Sequence, residues 1–425
     1  MSHPHKIVDL FAGPGGFDIA AHNLGLHDVL GVENDENACA TREAAGLRTL
    51  PTDVRDLHPR ALPEGFEWFN DATVLMGGPP CQTFSVAGNG HGRAALDEVR
   101  KFAHRYAKAT TVQDFGRIQR ELTQLGEPRT GLVLEPLRWV LEAALVGKPY
   151  KVVLLEQVPT VLPVWEEFAA ILEGKGYQVM KPEVLCTEEY GVPQTRKRAI
   201  FYARWDGVMS PDSKSKLPPP RKTHEKYQQW QRPEKRGVRP AEIFEVQGRD
   251  ELKPVVTMAK ALDRKDCFRV RSNYGTGGVS TNRGYRDRNQ PSAAVTGKAS
   301  RAKLEWEGRQ LGEFTLHELG RLQTFPADYP WRRVRTVDKE TKRTVVETPE
   351  HKGVRSVISQ QIGNAVPPLF GMHLLAAALE LGDELKKRGE QPLTWPKSAA
   401  STVVKESHGK EFVPTRMAPP LAENS

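Results

Sequence analysis

The N-terminal part of the chain alternates short apolar runs with segments of helical periodicity: KIVDLF, GGFDIAAHNLG, DVLGVE and DENACATREAAG. That alternation predicts a βαβα start. The later runs ATVLMGG, YKVVLLEQV and RAIFYARW are short, rich in β-branched or aromatic residues, and bounded by Gly, Pro or charge. They predict further buried strands of a mostly parallel sheet. Between Gly88 and Thr130, ALDEVRKFAHRYAKA and FGRIQRELTQLG are polar and basic, which predicts exposed helices inserted over the sheet's carboxyl edge. The Pro, Ser and Lys run at 210–224 marks a boundary, and the following stretch RVRSNYGTGGVSTNRGYRDRNQP predicts short strands and loops. The alternating sequence of 331–355 predicts a surface hairpin. Residues 367–388, with Pro first and basic residues last, predict one amphipathic helix. A Pro, Ser and Lys rich tail from 389 to 425 reads as disordered.

Composition narrows the class. At 425 residues and 38% hydrophobic content, the chain can bury the cores of two or three domains. No apolar run approaches the roughly 20 residues that span a bilayer, and the opening MSHPHKIVDLF lacks a signal-peptide pattern. A cytoplasmic protein without membrane contact is expected. Cys39, Cys81, Cys186 and Cys267 lie far apart with no CxxC pair and no His cluster at zinc spacing, so neither a disulfide framework nor a metal site is expected. The net charge of +8 is uneven: residues 204–310 hold 24 Lys and Arg against 13 Asp and Glu, and the remainder sums to −3. One basic module for a polyanion beside a near-neutral module for chemistry fits that split, as does a merely solvated charged surface.

Three short stretches carry candidate chemistry. DLFAGPGGF places Gly13, Gly15 and Gly16 at a turn from strand to helix, where the missing Cβ atoms let a ligand approach the backbone. A G-x-G-x-x-G dinucleotide fingerprint would need Gly where Asp18 stands, so NAD is disfavoured. Glu33 ends the second strand at the spacing from which a carboxylate accepts from ribose hydroxyls, and Asp53 could accept from an exocyclic amine; a plain turn, a helix-start acid or an N-cap would explain the same residues. In GGPPCQTFS, Cys81 should lie just past a strand's carboxyl end, held by two prolines. A buried cysteine is usually inert filler, yet this position suits a nucleophile facing a cleft.

DLFAGPGGF, GGPPCQTFS, VVLLEQV, QTRKRAIFYA and QQIGNAVPP together resemble, in order, the motifs of the DNA (cytosine-5) methyltransferase family. The resemblance covers residues 6 to about 203 and about 314 to 375. It implies an α/β fold: a Rossmann-like, S-adenosylmethionine-dependent methyltransferase domain with a smaller, strand- and loop-rich target-recognition domain. The implied divisions are a catalytic domain at 1–203 completed by 358–388, target recognition at 204–330, and an insertion at 331–357. It further implies that Phe11, Gly13, Gly15, Glu33, Asp53, Val54, Leu132 and Asn364 hold S-adenosylmethionine. Cys81 would be the nucleophile with Pro80 fixing its approach, Glu156 would engage cytosine N3, and Arg196 and Arg198 would line the target pocket, Arg196 buffering Glu156. Gln82, Ser85 and Thr296 would face DNA.

The chemistry accounts for these residue types. Cytosine C5 is a weak nucleophile until a thiolate adds to C6, and a carboxyl sharing a proton at N3 stabilises the charge that this addition places on the ring. Because those atoms are hidden in a stacked duplex, the base must be flipped out. Gln157 stands where the family has Asn; its amide keeps the same donors and acceptor, which predicts retained bracing of the cysteine loop with altered geometry. Because no chromatin-reading or regulatory domains flank the motifs, an enzyme of restriction-modification or phage self-protection type is expected; duplex DNA as substrate, a cognate restriction endonuclease as partner and a monomeric state are expected with it. The alternatives are a tRNA cytosine-5 methyltransferase and a catalytically silent DNA-binding homologue; the long basic module and the intact Cys81, Glu156 and Arg196 set disfavour them in turn.

Overall fold

A computed structural model describes residues 5–80, 91–124, 130–205, 216–228, 252–271, 284–337 and 343–396. Its main sheet contains β1 (Ile7–Leu10), β2 (Val29–Glu33), β3 (Thr49–Pro51), β4 (Val74–Gly77), β5 (Val152–Gln157), β6 (Tyr177–Val179), β7 (Glu183–Cys186) and β9 (Lys197–Trp205), while the two-residue strand β8 (Gln194–Thr195) stands apart. The order is β3-β2-β1-β4-β5-β9-β6, with β7 also paired to β9. β1, β2, β3, β4 and β5 are mutually parallel, and Ile7 is in register with both Val29 and Val74. The chain direction across the sheet therefore reverses beside β1, which opens a crevice at the carboxyl ends of β1 and β4.

RAIFYARW forms β9, but antiparallel to β5 rather than parallel as its apolar character suggested. β6 and β7 pair antiparallel with successive stretches of β9. The ten residues between β7 and β9 are fewer than the dozen or more of a parallel crossover, so β9 returns antiparallel to β7 at this side of the sheet.

Helices cover both faces. α1 (Gly16–Asn23) and α2 (Glu36–Ala44) lie in the first half; α3 (His91–Lys108), α4 (Val112–Gln124), α5 (Glu135–Leu145) and α6 (Leu162–Glu173) follow. Alternation along the strands divides the core: Val8, Leu10 and Leu75 pack with α5 and α6, whereas Ile7, Val74, Met76 and Leu154 face the other way. α3 and α4 differ from the expected exposed insertion. Val99, Phe102, Ala103 and Tyr106 of α3 and Phe115, Ile118 and Leu122 of α4 are buried in that first core. A single apolar stripe at helical spacing seats each helix on its neighbours although most of its residues are polar.

The smaller module holds α7 (Met258–Leu262), β10 (Arg269–Arg271), β11 (Tyr285–Asp287), β12 (Ser292–Ala293), β13 (Lys303–Trp306) and β14 (Arg309–Glu313). Four of its strands form an antiparallel sheet in the order β11-β10-β13-β14, and β12 pairs in parallel with β8 of the larger domain. α8 (Leu316–Leu322) begins with a capping box between Thr315 and Glu318. The segment at 331–355 contains the antiparallel pair β15 (Arg333–Thr336) and β16 (Thr344–Glu347). α9 (Arg355–Asn364) precedes the expected C-terminal helix, which is in fact two: α10 (Pro368–Ala378) and α11 (Gly382–Arg388). Glu380, at φ 59°, turns the chain between them. α10 is buried nearly all round against α1, so only α11 has the exposed charged surface expected of the whole.

The segment 389–396, expected to belong to the tail, packs back on the larger domain. Asn23 donates to the Thr394 carbonyl at 2.8 Å and accepts from its N–H at 3.1 Å. The remainder of the expected tail, 397–425, lies outside the described residues.

Candidate active site

The first strand–helix turn has an open side. Phe11, Gly13 and Gly15 take φ values of 59°, 55° and 100°, in the left-handed region that favours glycine. A Cβ placed on Gly13 would meet nothing within 4 Å, whereas one on Gly15 would lie 2.3 Å from Leu47 Cδ1. Gly13 thus leaves room before the turn and Gly15 permits packing behind it. Glu33 closes the turn: one carboxylate oxygen accepts from Gly13 N–H at 2.8 Å, and the other accepts from Asn34 and Asp35 N–H groups, each at 2.8 Å. A carboxylate has about four acceptor positions, so three bonds leave capacity for a ribose hydroxyl.

Asp53 caps the single turn Val54–Asp56 and accepts from Arg55 N–H at 2.9 Å. Arg55 also pairs with it through the guanidinium at 2.7 Å. Partial burial alone would raise the Asp53 pKa, but the hydrogen bonds from Arg55 outweigh that and hold it down. Val54 is buried and Leu132, in the turn before α5, is half-buried. Asn364 is exposed at the end of α9; two residues later the Val366 carbonyl packs so closely on Gly16 that a Cβ there would be 2.2 Å away. These positions fit a nucleoside cofactor at the β1 crevice: the open glycine turn, spare acceptor capacity on Glu33, and the adjoining buried Val54.

The second half of the site is at the ends of β4 and β5. Gly77 packs on β1, where a Cβ would lie 2.7 Å from the Leu10 carbonyl. A Cβ on Gly78 would be 3.7 Å from Glu156 Oε2, which places the start of the GGPPCQTFS loop beside that carboxylate. Pro80 is half-buried; Cys81, Gln82 and Ser85 lie outside the described residues. Gln157 connects the two strand ends: its Nε2 donates to the Pro79 carbonyl, while its Oε1 accepts from Val158 N–H at 2.5 Å.

Glu156 is buried opposite Ile200 of β9, and Arg198 Nε lies 2.8 Å from its Oε1. The contact is an ion pair without a well-aligned hydrogen bond. Arg196 does not contact Glu156 in this way. Its guanidinium donates to the carbonyls of Val295 at 2.8 Å, Gly363 at 3.0 Å and Ala365 at 3.2 Å. Burial and the neighbouring Arg198 charge push the Arg196 pKa well down while Glu156 opposes them, but a guanidinium that starts above about 12 stays cationic near neutrality. The arginine beside the carboxylate is therefore Arg198, and Arg196 ties the small module and the end of α9 to β9.

Two residues that the sequence did not suggest join this tie. Gln194 donates to the Leu322 carbonyl at 2.8 Å and to Gln323 Oε1 at 2.7 Å, and accepts from Val295 N–H at 2.9 Å. Gln323 donates to the Ile362 carbonyl at 2.7 Å. Both side chains are fully buried, and their amide groups satisfy the backbone where three segments meet. The repeated Gln-Thr pair at 194–195 and 323–324 was the available clue. Thr296 is half-buried, and its backbone packs on Gly363, where a Cβ would lie 2.1 Å from the Thr296 carbonyl carbon.

Among the described residues no cluster of His, Cys, Asp and Glu could hold a metal ion, and no helix is long and apolar enough to cross a membrane. The family model described as C-5 cytosine-specific DNA methylase matches residues 5–107 and 118–379. The chain is 26% identical to Type II methyltransferase M1.HphI of Haemophilus parahaemolyticus over 385 residues, covering 88% of this chain and 86% of that protein. It is 25% identical to Type II methyltransferase M.Eco47II of Escherichia coli over 401 residues, covering 90% and 81% respectively. Its fold is similar to that of the Dnmt2 methyltransferase of S. pombe, with a TM-score of 0.52 and 15% identity, over 88% of this chain and 98% of that one.

Proposed function

Since the chain belongs to the C-5 cytosine-specific DNA methylase family and is a DNA (cytosine-5) methyltransferase, we propose that it methylates a cytosine flipped out of duplex DNA by covalent addition of Cys81. The observation that carries this reading is the buried Glu156, paired with Arg198 at 2.8 Å and beside Gly78 of the loop that leads to Cys81. The open glycine turn and Glu33 hold the nucleoside part of S-adenosylmethionine, with Phe11, Asp53, Val54, Leu132 and Asn364 completing its surroundings. When bound, S-adenosylmethionine supplies a methyl group on a sulfonium whose thioether is a good leaving group.

The Cys81 thiolate forms a bond to cytosine C6, and the ring electrons shift to make C5 an enamine carbon. Glu156 shares a proton at N3 as charge develops there, and Arg198 keeps the Glu156 carboxylate oriented. C5 takes the methyl group; a base then removes the C5 proton, the C6–sulfur bond breaks, and Cys81 leaves as the thiolate. Pro80 and the Gln157 contact to Pro79 hold the approach of that loop. Gln82 and Ser85 face the duplex, as does Thr296 in the smaller module. The basic module binds the phosphates, so affinity should fall as salt rises. The names of the curated relatives, Type II methyltransferases, support a modification role in a restriction-modification system; a cognate endonuclease as partner and a monomeric enzyme complete the proposal.

Incubation with methyl-labelled S-adenosylmethionine and either duplex DNA or tRNA tests the reading. Label should enter duplex DNA at cytosine C5; transfer to tRNA alone, or to neither, contradicts it.

A further inference from the structure

Tyr329 reaches the proposed cofactor turn from 315 residues farther along the chain. Its hydroxyl donates to the Pro14 carbonyl at 2.5 Å, and that is the one hydrogen bond which the described residues make to this carbonyl. Pro14 stands between Gly13 and Gly15, both in left-handed conformation, and the space before Gly13 is open. The tip of the turn therefore has open space on the ligand side, and besides the Glu33 bond to Gly13 N–H its position is set by contacts from behind.

What stands behind is rigid. The Tyr329 ring is fully buried, with Phe325 and Trp331 each at a centroid distance of 4.9 Å. A Cβ on Gly15 would lie 3.1 Å from the Tyr329 hydroxyl. Next to it, Arg42 donates to both oxygens of Asp18 on α1, at 2.8 and 2.7 Å. Burial raises the phenol pKa, so the hydroxyl remains a donor at neutral pH.

We infer that Tyr329 is a positioning residue for the methyl donor: its hydroxyl fixes the Pro14 carbonyl and thereby the shape of the turn that receives S-adenosylmethionine. The inference rests on the cofactor reading proposed above. Tyr329 also stands seven residues after the end of α8, where the chain returns from the smaller module, so this hydrogen bond ties that return to the cofactor turn.

The test uses the full chain and three proteins: wild type, Tyr329→Phe, and Phe325→Leu as a packing control in the same aromatic cluster. Affinity for S-adenosylmethionine is measured by titration calorimetry, together with KM for each substrate, kcat and thermal midpoint. Loss of one hydrogen bond should weaken S-adenosylmethionine binding by about threefold to tenfold in Tyr329→Phe and raise its KM similarly, with kcat and KM for DNA unchanged. Phe325→Leu should lower the thermal midpoint and leave that affinity as it was. Unchanged affinity in Tyr329→Phe, or equal losses in both variants, overturns the role of Tyr329 alone. Absence of binding by the wild type instead removes the cofactor reading, and the inference with it.

Discussion

Arg198 Nε stands 2.8 Å from Glu156 Oε1, on adjacent antiparallel strands and largely out of solvent. The pair fixes the carboxylate where the proposed mechanism needs it. Replacing Arg198 with Ala leaves that carboxylate buried without its cation, and the methyl-transfer rate should fall about 100-fold, within the range of a disturbed general acid–base group. S-adenosylmethionine affinity, measured on the same preparation, should not change. A rate equal to wild type would show that the pair serves no catalytic purpose.

Gln157 carries the next prediction because its side chain joins β5 to the Pro79 carbonyl, two residues before Cys81. Gln157→Ala removes that donor, and the loop should lose order at a cost of about 1 kcal/mol. The turnover number should drop roughly fivefold if that cost is entirely transferred to the reacting geometry. Steady-state kinetics and duplex titration check it; unchanged transfer and unchanged duplex affinity would end the bracing role.

Stability should depend heavily on Asp18 and Arg42, which are almost fully buried and joined at 2.7 Å. Asp18→Ala strands the guanidinium in the core, and breaking such a pair from one side destabilises by about 3–5 kcal/mol. Urea denaturation of the variant against wild type measures this. A loss below about 1 kcal/mol, the scale of an exposed pair, would contradict the burial assigned to it.

Asp9 offers a pH test. It is buried on β1 with neither carboxylate oxygen hydrogen-bonded, and burial followed by the charge of Asp18 raises its pKa well above the usual range, although Arg42 opposes this. Between the unfolded carboxyl pKa of about 3.9 and the higher folded value, the native state binds the extra proton. Stability therefore falls as pH rises through that window and levels off above it. Asp9→Asn lacks this dependence, so its stability relative to wild type should increase from about pH 4 toward neutrality. Denaturation midpoints across pH would show a constant difference if Asp9 had an ordinary pKa.

Much of this was legible from local pattern. The apolar runs around Val8, Val32, Leu75 and Leu154 became strands because buried parallel strands are recognisable as short continuous hydrophobic segments. Gly13 and Glu33 were likewise brought together, since a βαβ unit fixes the distance between its first turn and its second strand end. Periodicity failed where few apolar residues sufficed. Phe102 and Tyr106 bury α3 amid charged neighbours, and no local feature distinguishes a core stripe from a surface one. Direction failed too: RAIFYARW specifies a buried strand but not whether it runs with or against its partner. The roles of Gln194, Gln323 and Tyr329 depend on backbone carbonyls 128, 39 and 315 residues away, which become visible only after folding. The same holds for the choice between Arg196 and Arg198 as partner of Glu156: residues two apart share a face of an extended chain, and what separates them is the set of distant carbonyls, of Val295, Gly363 and Ala365, that takes up the Arg196 guanidinium.

The most direct test of the central claim is covalent trapping. Duplex DNA that contains the enzyme's target sequence with 5-fluorocytosine at the methylated position is incubated with S-adenosylmethionine and resolved under denaturing conditions, followed by mass spectrometry of the linked peptide. Because fluorine at C5 cannot leave as a proton, the wild-type protein should remain bonded to the DNA through Cys81, and Cys81→Ser should give no adduct while still binding the duplex. Methyl transfer to ordinary cytosine without any adduct on the fluorinated duplex, or an adduct through another residue, would contradict the account.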